Sequence, residues 1–242
     1  MKIYGKDYMN VKNSSTYSKK RISQIIQPYL SQSRFPHFWL AFQLLLGGTF
    51  DKRKLATEYY SDQKKVLEIG CSVGNVSAAF TKYNNLNFVG IDTDEIAISN
   101  ARKRFRNLKN FIFNSYDLRE MSKTNQTFDY ILFAGILHHV NDGDAMELLR
   151  NAVPLLDPEG IIIISEPLPA HESDSWLIRL YHNLFEQGSW VREKKDIETL
   201  VNNVGGLLIR SSQERTVSPF LFNWPKVARF CLLVATSKPS DH

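Results

Sequence analysis

The segment Val66-Leu-Glu-Ile-Gly-Cys-Ser-Val-Gly-Asn75 decides how this chain folds. Its first residues belong to a short apolar run, Lys65–Ile69, which predicts a β-strand, and Gly70 ends that run with a turn. A glycine here lets the backbone approach a ligand closely, and a helix that begins after the turn offers free N–H groups. The segment therefore predicts a strand, a ligand-binding loop and a helix over Val76–Tyr83.

Strands and helices continue to alternate downstream of this segment. Further strands are predicted at Asn87–Ile91, Asn110–Phe113, Phe128–Phe133, Gly160–Ser165, Leu207–Ser211 and Ala228–Ala235, and helices at 94–105, 145–156, 176–187 and 193–201. The run at Gly160–Ser165 is almost continuously apolar, which is typical of a strand buried on both faces of a parallel sheet. We therefore expect an α/β fold, a doubly wound sheet with helices on both sides that ends in a hairpin-like pair of strands.

Two carboxylates follow strands of this predicted sheet. Asp92 stands 22 residues after Gly70 at the end of the second strand, where a doubly wound fold places the acid that receives two ribose hydroxyls. Asp117 follows the third strand and is placed to hold an adenine amino group. Together with the glycine loop, these residues predict a site for a cofactor that contains a nucleoside.

Four motifs carry a family resemblance. They are Glu68-x-Gly70-x-x-x-Gly74, Asp92, Asp117 and the stretch Phe128-Asp-Tyr-Ile-Leu-Phe-Ala-Gly-Ile-Leu-His-His139. In this order and at this spacing they resemble the class I S-adenosylmethionine-dependent methyltransferases, over about residues 55 to 236. The resemblance implies a methyltransferase of class EC 2.1.1 and a seven-stranded Rossmann-like sheet whose last strand is antiparallel.

The resemblance also implies where S-adenosylmethionine is held. The loop from Gly70 to Gly74 would hold its methionine part, Asp92 its ribose and Asp117 with Leu118 its adenine, with Ala134 near the sulfonium. The cofactor-binding residues implied are Glu68, Gly70, Cys71, Ser72, Gly74, Asp92, Thr93, Asp117, Leu118 and Ala134. The product would be S-adenosylhomocysteine.

One loop position departs from the family pattern, because Ser72 stands where a glycine is usual. Either its side chain hydrogen-bonds the cofactor carboxylate, or the loop is slightly reshaped. The competing dinucleotide site requires G-x-G-x-x-G, and Ser72 and Asn75 replace two of those glycines, which disfavours a dehydrogenase. No metal is expected, because metal-dependent catechol-type enzymes need an acid at the end of strand four and an Asp-Asn pair after strand five. Ala134-Gly135 and Glu166-Pro167 occupy those places.

His138, His139 and Glu166 are the candidate catalytic residues. Methyl transfer is an in-line displacement, and a base helps when the acceptor is a hydroxyl because it takes the proton. The pattern Leu-His-His-Val with Glu166-Pro167 downstream resembles the branch of sugar O-methyltransferases and quinone C-methyltransferases. We expect His139 as the base, with Glu166 orienting it or the substrate. The alternative, favoured for His138, is that a histidine supports the loop or touches the cofactor.

Two segments could cover an acceptor pocket: an N-terminal arm and helical cap over residues 1–57, and a lid insertion at about 168–192 within a methyltransferase domain over 58–242. Both are rich in aromatic residues, which favours a small acceptor with an apolar or aromatic body. The function expected is methyl transfer to an oxygen or nitrogen of such a metabolite, in specialised metabolism. The alternatives are C-methylation of a quinone-like or aromatic ring, and a non-catalytic S-adenosylmethionine-binding module.

Charge and composition exclude other classes. The chain of 242 residues has a net charge of +5, but residues 1–60 hold ten Lys/Arg against three Asp/Glu, which leaves residues 61–242 slightly acidic. The basic character thus belongs to the N-terminal quarter, which, with no RNA-binding module, disfavours a nucleic-acid partner. The most apolar stretch, Phe38–Phe50, is too short for a membrane span. Two cysteines and an N-terminus without a signal peptide favour the cytoplasm, with the protein as monomer or homodimer.

Overall fold

Seven strands form one sheet in the computed structural model, which describes residues 36–186 and 188–238. In chain order the strands are β1 Lys65–Ile69, β2 Asn87–Ile91, β3 Phe111–Asn114, β4 Phe128–Ala134, β5 Leu156–Pro167, β6 Leu207–Val217 and β7 Ala228–Ser237. Their spatial order is β3-β2-β1-β4-β5-β7-β6, and β7 runs antiparallel to both of its neighbours. The seven-stranded Rossmann-like sheet with an antiparallel last strand is therefore confirmed.

The helices of the described residues cover both faces of this sheet and its carboxyl edge. They are α1 Pro36–Leu46, α2 Thr49–Thr57, α3 Glu95–Arg104, α4 Leu118–Met121, α5 Asp142–Ala152, α6 Trp176–Phe185 and α7 Lys194–Val204. Of the expected N-terminal cap, residues 1–35 lie outside the described residues, and the rest forms α1 and α2. Over residues 36–186 and 188–238, no helix reaches the length and apolarity needed to cross a membrane.

The segment after the first strand differs from the prediction. The helix expected over Val76–Tyr83 is a 3-10 turn at Ser77–Phe80, in which Ala79 N–H donates to the Val76 carbonyl three residues back at 2.8 Å. The Ser77 hydroxyl donates to the buried carboxyl group of Glu68, so the turn is tied down onto β1. This bond favours a tight turn over a longer regular helix.

The core lies on both faces of the sheet because successive strand residues point to opposite sides. Val66 packs in the cluster with Phe80 and Phe88, while Leu67 packs in the cluster with Leu149 and Val201 of helices α5 and α7. All six side chains are fully buried. This double burial explains the continuous apolar runs that identify the parallel strands.

Helices α1, α2 and α6 lie over the carboxyl edge of the sheet. The Tyr130 hydroxyl of β4 donates to the Ala56 carbonyl at 2.8 Å, which fixes α2 against the sheet. The Tyr181 hydroxyl of α6 donates to the Leu46 carbonyl at 3.1 Å, and the rings of Phe42 and Phe185 pack 6.2 Å apart. These contacts hold α6 against α1 and close the space between them over the strand ends.

Candidate active site

A cavity of about 760 Å³ opens at the carboxyl ends of the parallel strands. Its size lies within the range of small-molecule and cofactor sites. Nine of the ten expected cofactor-binding residues line it: Glu68, Gly70, Cys71, Ser72, Asp92, Thr93, Asp117, Leu118 and Ala134. His138 and His139 line it as well, so the fold brings both sets of predicted residues into one space.

The loop after β1 requires glycine at position 70. Its φ is +72°, a left-handed conformation that side chains disfavour, and a Cβ there would lie 2.5 Å from Cδ1 of Ile136. The N–H groups of Gly70 and Cys71 donate to the Ile91 carbonyl at 2.8 and 3.0 Å. The glycine therefore turns the backbone out of β1 while the loop stays attached to β2.

Ser72 keeps the conformation expected of the usual glycine. Its φ is +49°, and its N–H donates to Oδ2 of Asp92 at 2.8 Å. Asp94 N–H donates to Oδ1 of Asp92 at 2.9 Å, so each oxygen of this carboxylate has one donor and room for another. Asp92 thus braces the loop and still presents acceptors to the cavity, as two ribose hydroxyls would require.

Glu68, in strand β1, lines the same cavity. The carboxyl group is 2% exposed and accepts a hydrogen bond from the Ser77 hydroxyl. Burial raises the pKa of Glu68 to about 8, with the negative charge of Asp92 adding to the increase and the Ser77 bond opposing it. At neutral pH Glu68 is therefore mostly protonated and able to donate as well as accept.

The far end of the cavity is formed by residues after β3. Oδ1 of Asp117 accepts from the Arg119 N–H at 2.9 Å, so Asp117 caps the short helix α4 and fixes the buried side chain of Leu118. Tyr116, which sequence reasoning missed, lines the cavity beside them. An apolar side chain next to a carboxylate and an aromatic ring fits a planar base with an amino group.

Gly74 is the one expected cofactor residue that does not line the cavity. Its φ is +77°, and a Cβ there would lie 2.4 Å from the ring of Phe105. Its N–H donates to the Cys71 carbonyl at 2.9 Å. Gly74 therefore supports the conformation of the loop without facing the cavity.

Glu166 holds the turn that follows β4, the 3-10 segment Leu137–His139. Its Oε1 accepts from the N–H groups of Ile136 and Leu137, each at 2.8 Å, and its Oε2 accepts from His138 N–H at 3.2 Å. Oε2 also lies 2.7 Å from His138 Nδ1. Burial raises the pKa of Glu166, but His138 and the backbone donors outweigh burial and lower it overall. The carboxylate is thus ionised, and its four hydrogen bonds are all made to residues 136–138 of this turn.

The histidine that Glu166 contacts is His138, whereas the sequence pattern predicts that Glu166 orients His139 or the substrate. His138 is buried, and its Nε2 lies 3.6 Å from Oε1 of Glu186. Gly188 packs against it so closely that a Cβ there would lie 2.3 Å from His138 Cδ2. His138 therefore sits between two carboxylates and ties the segment after α6 to the turn after β4.

His139 occupies the other side of the same turn. Its ring centroid is 4.0 Å from that of His138, and its side chain is reached by solvent through the cavity. Desolvation by the surrounding cavity walls lowers the pKa of the His139 ring to about 4, although the ring opens to the cavity; the neighbouring His138 adds to the decrease, and Glu166 and Glu186 oppose it. At neutral pH His139 is uncharged, and it faces the cavity with a nitrogen able to accept a proton.

Arg192 is a residue that sequence reasoning missed. Its guanidinium donates to the carbonyls of Leu137 at 2.6 Å and Val140 at 2.8 Å, and to Asp142 at 2.8 Å. Arg192 therefore binds carbonyl oxygens of the histidine turn, whereas Glu166 binds its N–H groups. The sequence offered no signal for it, because Arg192 is 53 residues from His139 and its partners are mainly backbone oxygens.

The chain can be compared with known proteins on this basis. The family model described as a methyltransferase domain matches residues 38–206. A curated relative, the ubiquinone biosynthesis O-methyltransferase of Coxiella burnetii (strain RSA 493 / Nine Mile phase I), is 30% identical over 103 residues, which cover 42% of this chain and 43% of that protein. The chain thus spans less than half the length of this relative.

Two solved structures share the fold. Human N-acetylserotonin methyltransferase in complex with SAM has a TM-score of 0.62 at 16% identity, covering 92% of this chain and 60% of that one. NcsB1, an O-methyltransferase from neocarzinostatin biosynthesis in complex with SAM and 2-hydroxy-5-methyl naphthoic acid, has a TM-score of 0.58 at 15% identity, covering 89% and 60%. The family match confirms the resemblance that the motifs carry, and the two structures agree with it in fold.

Proposed function

Because the chain belongs to this methyltransferase family, we propose that it transfers the methyl group of S-adenosylmethionine to an oxygen or nitrogen of a small, partly apolar metabolite. The observation that carries the proposal is the single cavity shared by the Asp92-braced loop and the ring of His139. The loops after β1, β2 and β3 offer the groups that a nucleoside-containing cofactor needs, and the turn after β4 offers a neutral base. We assign the protein to specialised metabolism in the cytoplasm, as a monomer or homodimer.

The cofactor site fits S-adenosylmethionine in the chemistry of its residues. Asp92 would accept the ribose hydroxyls through the lone pairs that its two backbone donors leave open. Asp117 and Leu118 would hold the adenine, and the loop Gly70–Ser72 would hold the methionine part. When bound, S-adenosylmethionine supplies a methyl group attached to a positively charged sulfur. The sulfur is the leaving group, and it becomes the neutral thioether of S-adenosylhomocysteine.

His139 would take the proton from an acceptor hydroxyl. Its pKa of about 4 keeps the ring neutral at pH 7, so the base form needs no prior deprotonation. A neutral imidazole removes the proton of a phenol more readily than that of an aliphatic alcohol, because the phenol is the stronger acid, so a phenolic acceptor is favoured. Aromatic rings of Phe42, Tyr181 and Phe185 line the cavity and would surround the body of such an acceptor.

Glu166, His138 and Arg192 would act as positioning residues. Glu166 accepts hydrogen bonds from N–H groups of the turn Leu137–His139, and Arg192 donates to its Leu137 carbonyl. These bonds would fix the backbone that carries the ring of His139. His138 links this turn to Glu186 and so to the segment after α6. Displacing a catalytic base by about 1 Å lowers the reaction rate strongly, because proximity and orientation supply much of the rate.

Calorimetric titration with S-adenosylmethionine and S-adenosylhomocysteine tests the cofactor assignment. Both should bind, and Asp92→Asn should weaken S-adenosylhomocysteine by roughly tenfold or more, since hydrogen bonds to a charged group contribute about 1.5–3 kcal/mol each. The matched control is Asp157→Asn, an acid in the β5 segment that does not line the cavity. If neither compound binds the wild-type protein, the proposed activity is wrong.

The role of His139 is tested by methyl transfer from labelled S-adenosylmethionine to a panel of phenols, alcohols and amines. His139→Gln should lower kcat on a phenol by about 10²–10⁴-fold, the usual contribution of general base catalysis. His171→Gln is the control, because His171 lies outside the cavity. An unchanged rate in His139→Gln would exclude an essential base and favour C-methylation, while cofactor binding without any turnover would favour a non-catalytic module.

A further inference from the structure

Three consecutive residues of α2 make different contacts at the mouth of the cavity. The Asp51 carboxylate accepts from Ser218 N–H at 2.7 Å and from the Lys226 ammonium, which ties α2 to the loop before β7. Arg53 Nε donates to the Asn75 carbonyl at 2.7 Å, which ties α2 to the loop after β1. Lys52 lies between these two anchors and lines the cavity.

The ammonium of Lys52 has no anionic partner within the described part of the chain. Its Nζ lies 5.7 Å from the ring centroid of Phe230, and over residues 36–186 and 188–238 no carboxylate comes within 4.0 Å of it. The side chain is half-buried, and burial lowers the pKa of Lys52. A cation that loses water without gaining a counter-charge is unfavourable, so an anion entering the cavity would stabilise it.

The two nearest acids are already engaged by other groups. Glu166 accepts four hydrogen bonds from the turn after β4, including the one to His138 Nδ1. Glu186 accepts from Gly188 N–H at 2.7 Å and faces His138 Nε2. Both act on Lys52 only at longer range, where they partly oppose the lowering of its pKa.

Lys52 belongs to the acceptor half of the cavity. Phe230 is in β7, paired with Pro167 at the end of β5, whereas the cofactor loop follows β1 and Asp92 follows β2. The charges that act on Lys52 are Glu186 and Glu166, and Lys52 in turn acts on His139. Its ammonium is therefore on the side of the proposed base.

We propose that Lys52 binds a carboxylate of the methyl acceptor, which makes the substrate a hydroxylated aromatic acid. The acid group pairs with the Lys52 ammonium over the Phe230 ring, and the aromatic body lies among Phe42, Tyr181 and Phe185. A charge-assisted hydrogen bond in a partly buried site discriminates strongly against neutral analogues. The inference rests on the proposed function and narrows its substrate class.

The test compares binding of paired probes to the protein loaded with S-adenosylhomocysteine. The probes are 4-hydroxybenzoate, salicylate and 1-hydroxy-2-naphthoate, each with its methyl ester, titrated by calorimetry. Wild type should bind at least one acid tenfold or more tightly than its ester. Lys52→Met should remove this preference, Lys52→Arg should keep most of it, and Lys109→Met, an exposed lysine at the amino end of β3, should leave it unchanged.

Each remaining outcome overturns the inference. If no acid binds more tightly than its ester, or if Lys52→Met keeps the preference, Lys52 does not select a carboxylate. If Lys52→Met weakens S-adenosylhomocysteine binding tenfold, Lys52 belongs to the cofactor site. Failure of wild type to bind S-adenosylhomocysteine is a separate result, because it contradicts the proposed function before any acceptor is added.

Discussion

Replacing Glu166 by glutamine tests whether one buried carboxylate holds the histidine turn. The substitution keeps the shape of the side chain and removes its charge. Glutamine can still present its carbonyl oxygen to Ile136 and Leu137 N–H, where Oε1 now lies at 2.8 Å from each nitrogen. Its amide NH2 then meets the N–H of His138, which lies 3.2 Å from Oε2, so two donors face each other.

The expected loss of stability follows from these contacts. Glu166→Gln removes the bond from His138 N–H and the charge assistance of the bond at His138 Nδ1. Hydrogen bonds to charged groups contribute about 1.5–3 kcal/mol, and a buried donor left unpaired costs about 1–3 kcal/mol. We therefore expect the free energy of unfolding to fall by about 2–4 kcal/mol at pH 7.

Urea denaturation measures this change. Glu159→Gln is the control, since Glu159 is an exposed acid in the same strand and its substitution should stay within about 0.5 kcal/mol of wild type. Affinity for S-adenosylhomocysteine, measured by calorimetry on each variant, reports whether the displaced turn also disturbs the cofactor side of the cavity.

The loss of unfolding free energy in Glu166→Gln should depend on pH, because the pKa of Glu166 is lowered in the folded protein. The ionised carboxylate contributes its full stability above the ordinary value of 4.5, and this contribution is lost as the pH falls through the lowered folded pKa. The difference in the free energy of unfolding between wild type and Glu166→Gln should therefore become smaller below pH 4.5. A loss under 1 kcal/mol at pH 7 would refute the claim that Glu166 holds the turn.

Two further predictions concern the cofactor loop and the proposed base. Gly70→Ala and Gly205→Ala both place a side chain at φ above +70°, but Gly205 has nothing within 4 Å of the new Cβ. Gly205→Ala should cost about 1–2 kcal/mol in urea denaturation, and Gly70→Ala about 1–3 kcal/mol more because of Ile136; equal losses would contradict the packing argument. His139 should titrate near pH 4 in NMR spectra of its ring, neutral above and charged below, whereas a midpoint at 6.5 or higher would show that the cavity walls do not desolvate the ring.

Local sequence signals predicted most strands well and some boundaries poorly. The helix expected to reach Leu156 ends at Ala152, because Pro154 cannot continue a helix and the chain passes through a 3-10 turn into β5. Strand β6 runs to Val217, well beyond the predicted Ser211. It is one of the two edge strands of the sheet, so its second half is polar and carries no apolar pattern.

The sequence by itself determined the doubly wound sheet and the positions of Gly70, Ser72 and Asp92, because strand, turn and acid follow one another at fixed spacing along the chain. It could not say which histidine Glu166 binds. His138 and His139 are neighbours on a 3-10 turn, where successive side chains point about 120° apart, and only the packing shows that His138 contacts Glu166 while the more exposed His139 does not.

Only the tertiary structure decided what surrounds the residues of the proposed acceptor side. Lys52 lies more than 130 residues before Glu186 and Arg192, and none of the three has a local pattern that marks it. The roles proposed for them depend on these surroundings: an ammonium with no carboxylate within 4.0 Å among the described residues, a carboxylate facing a buried imidazole, and a guanidinium among carbonyls. Such surroundings depend on distances between distant segments, and those distances exist only once the helices have packed over the sheet.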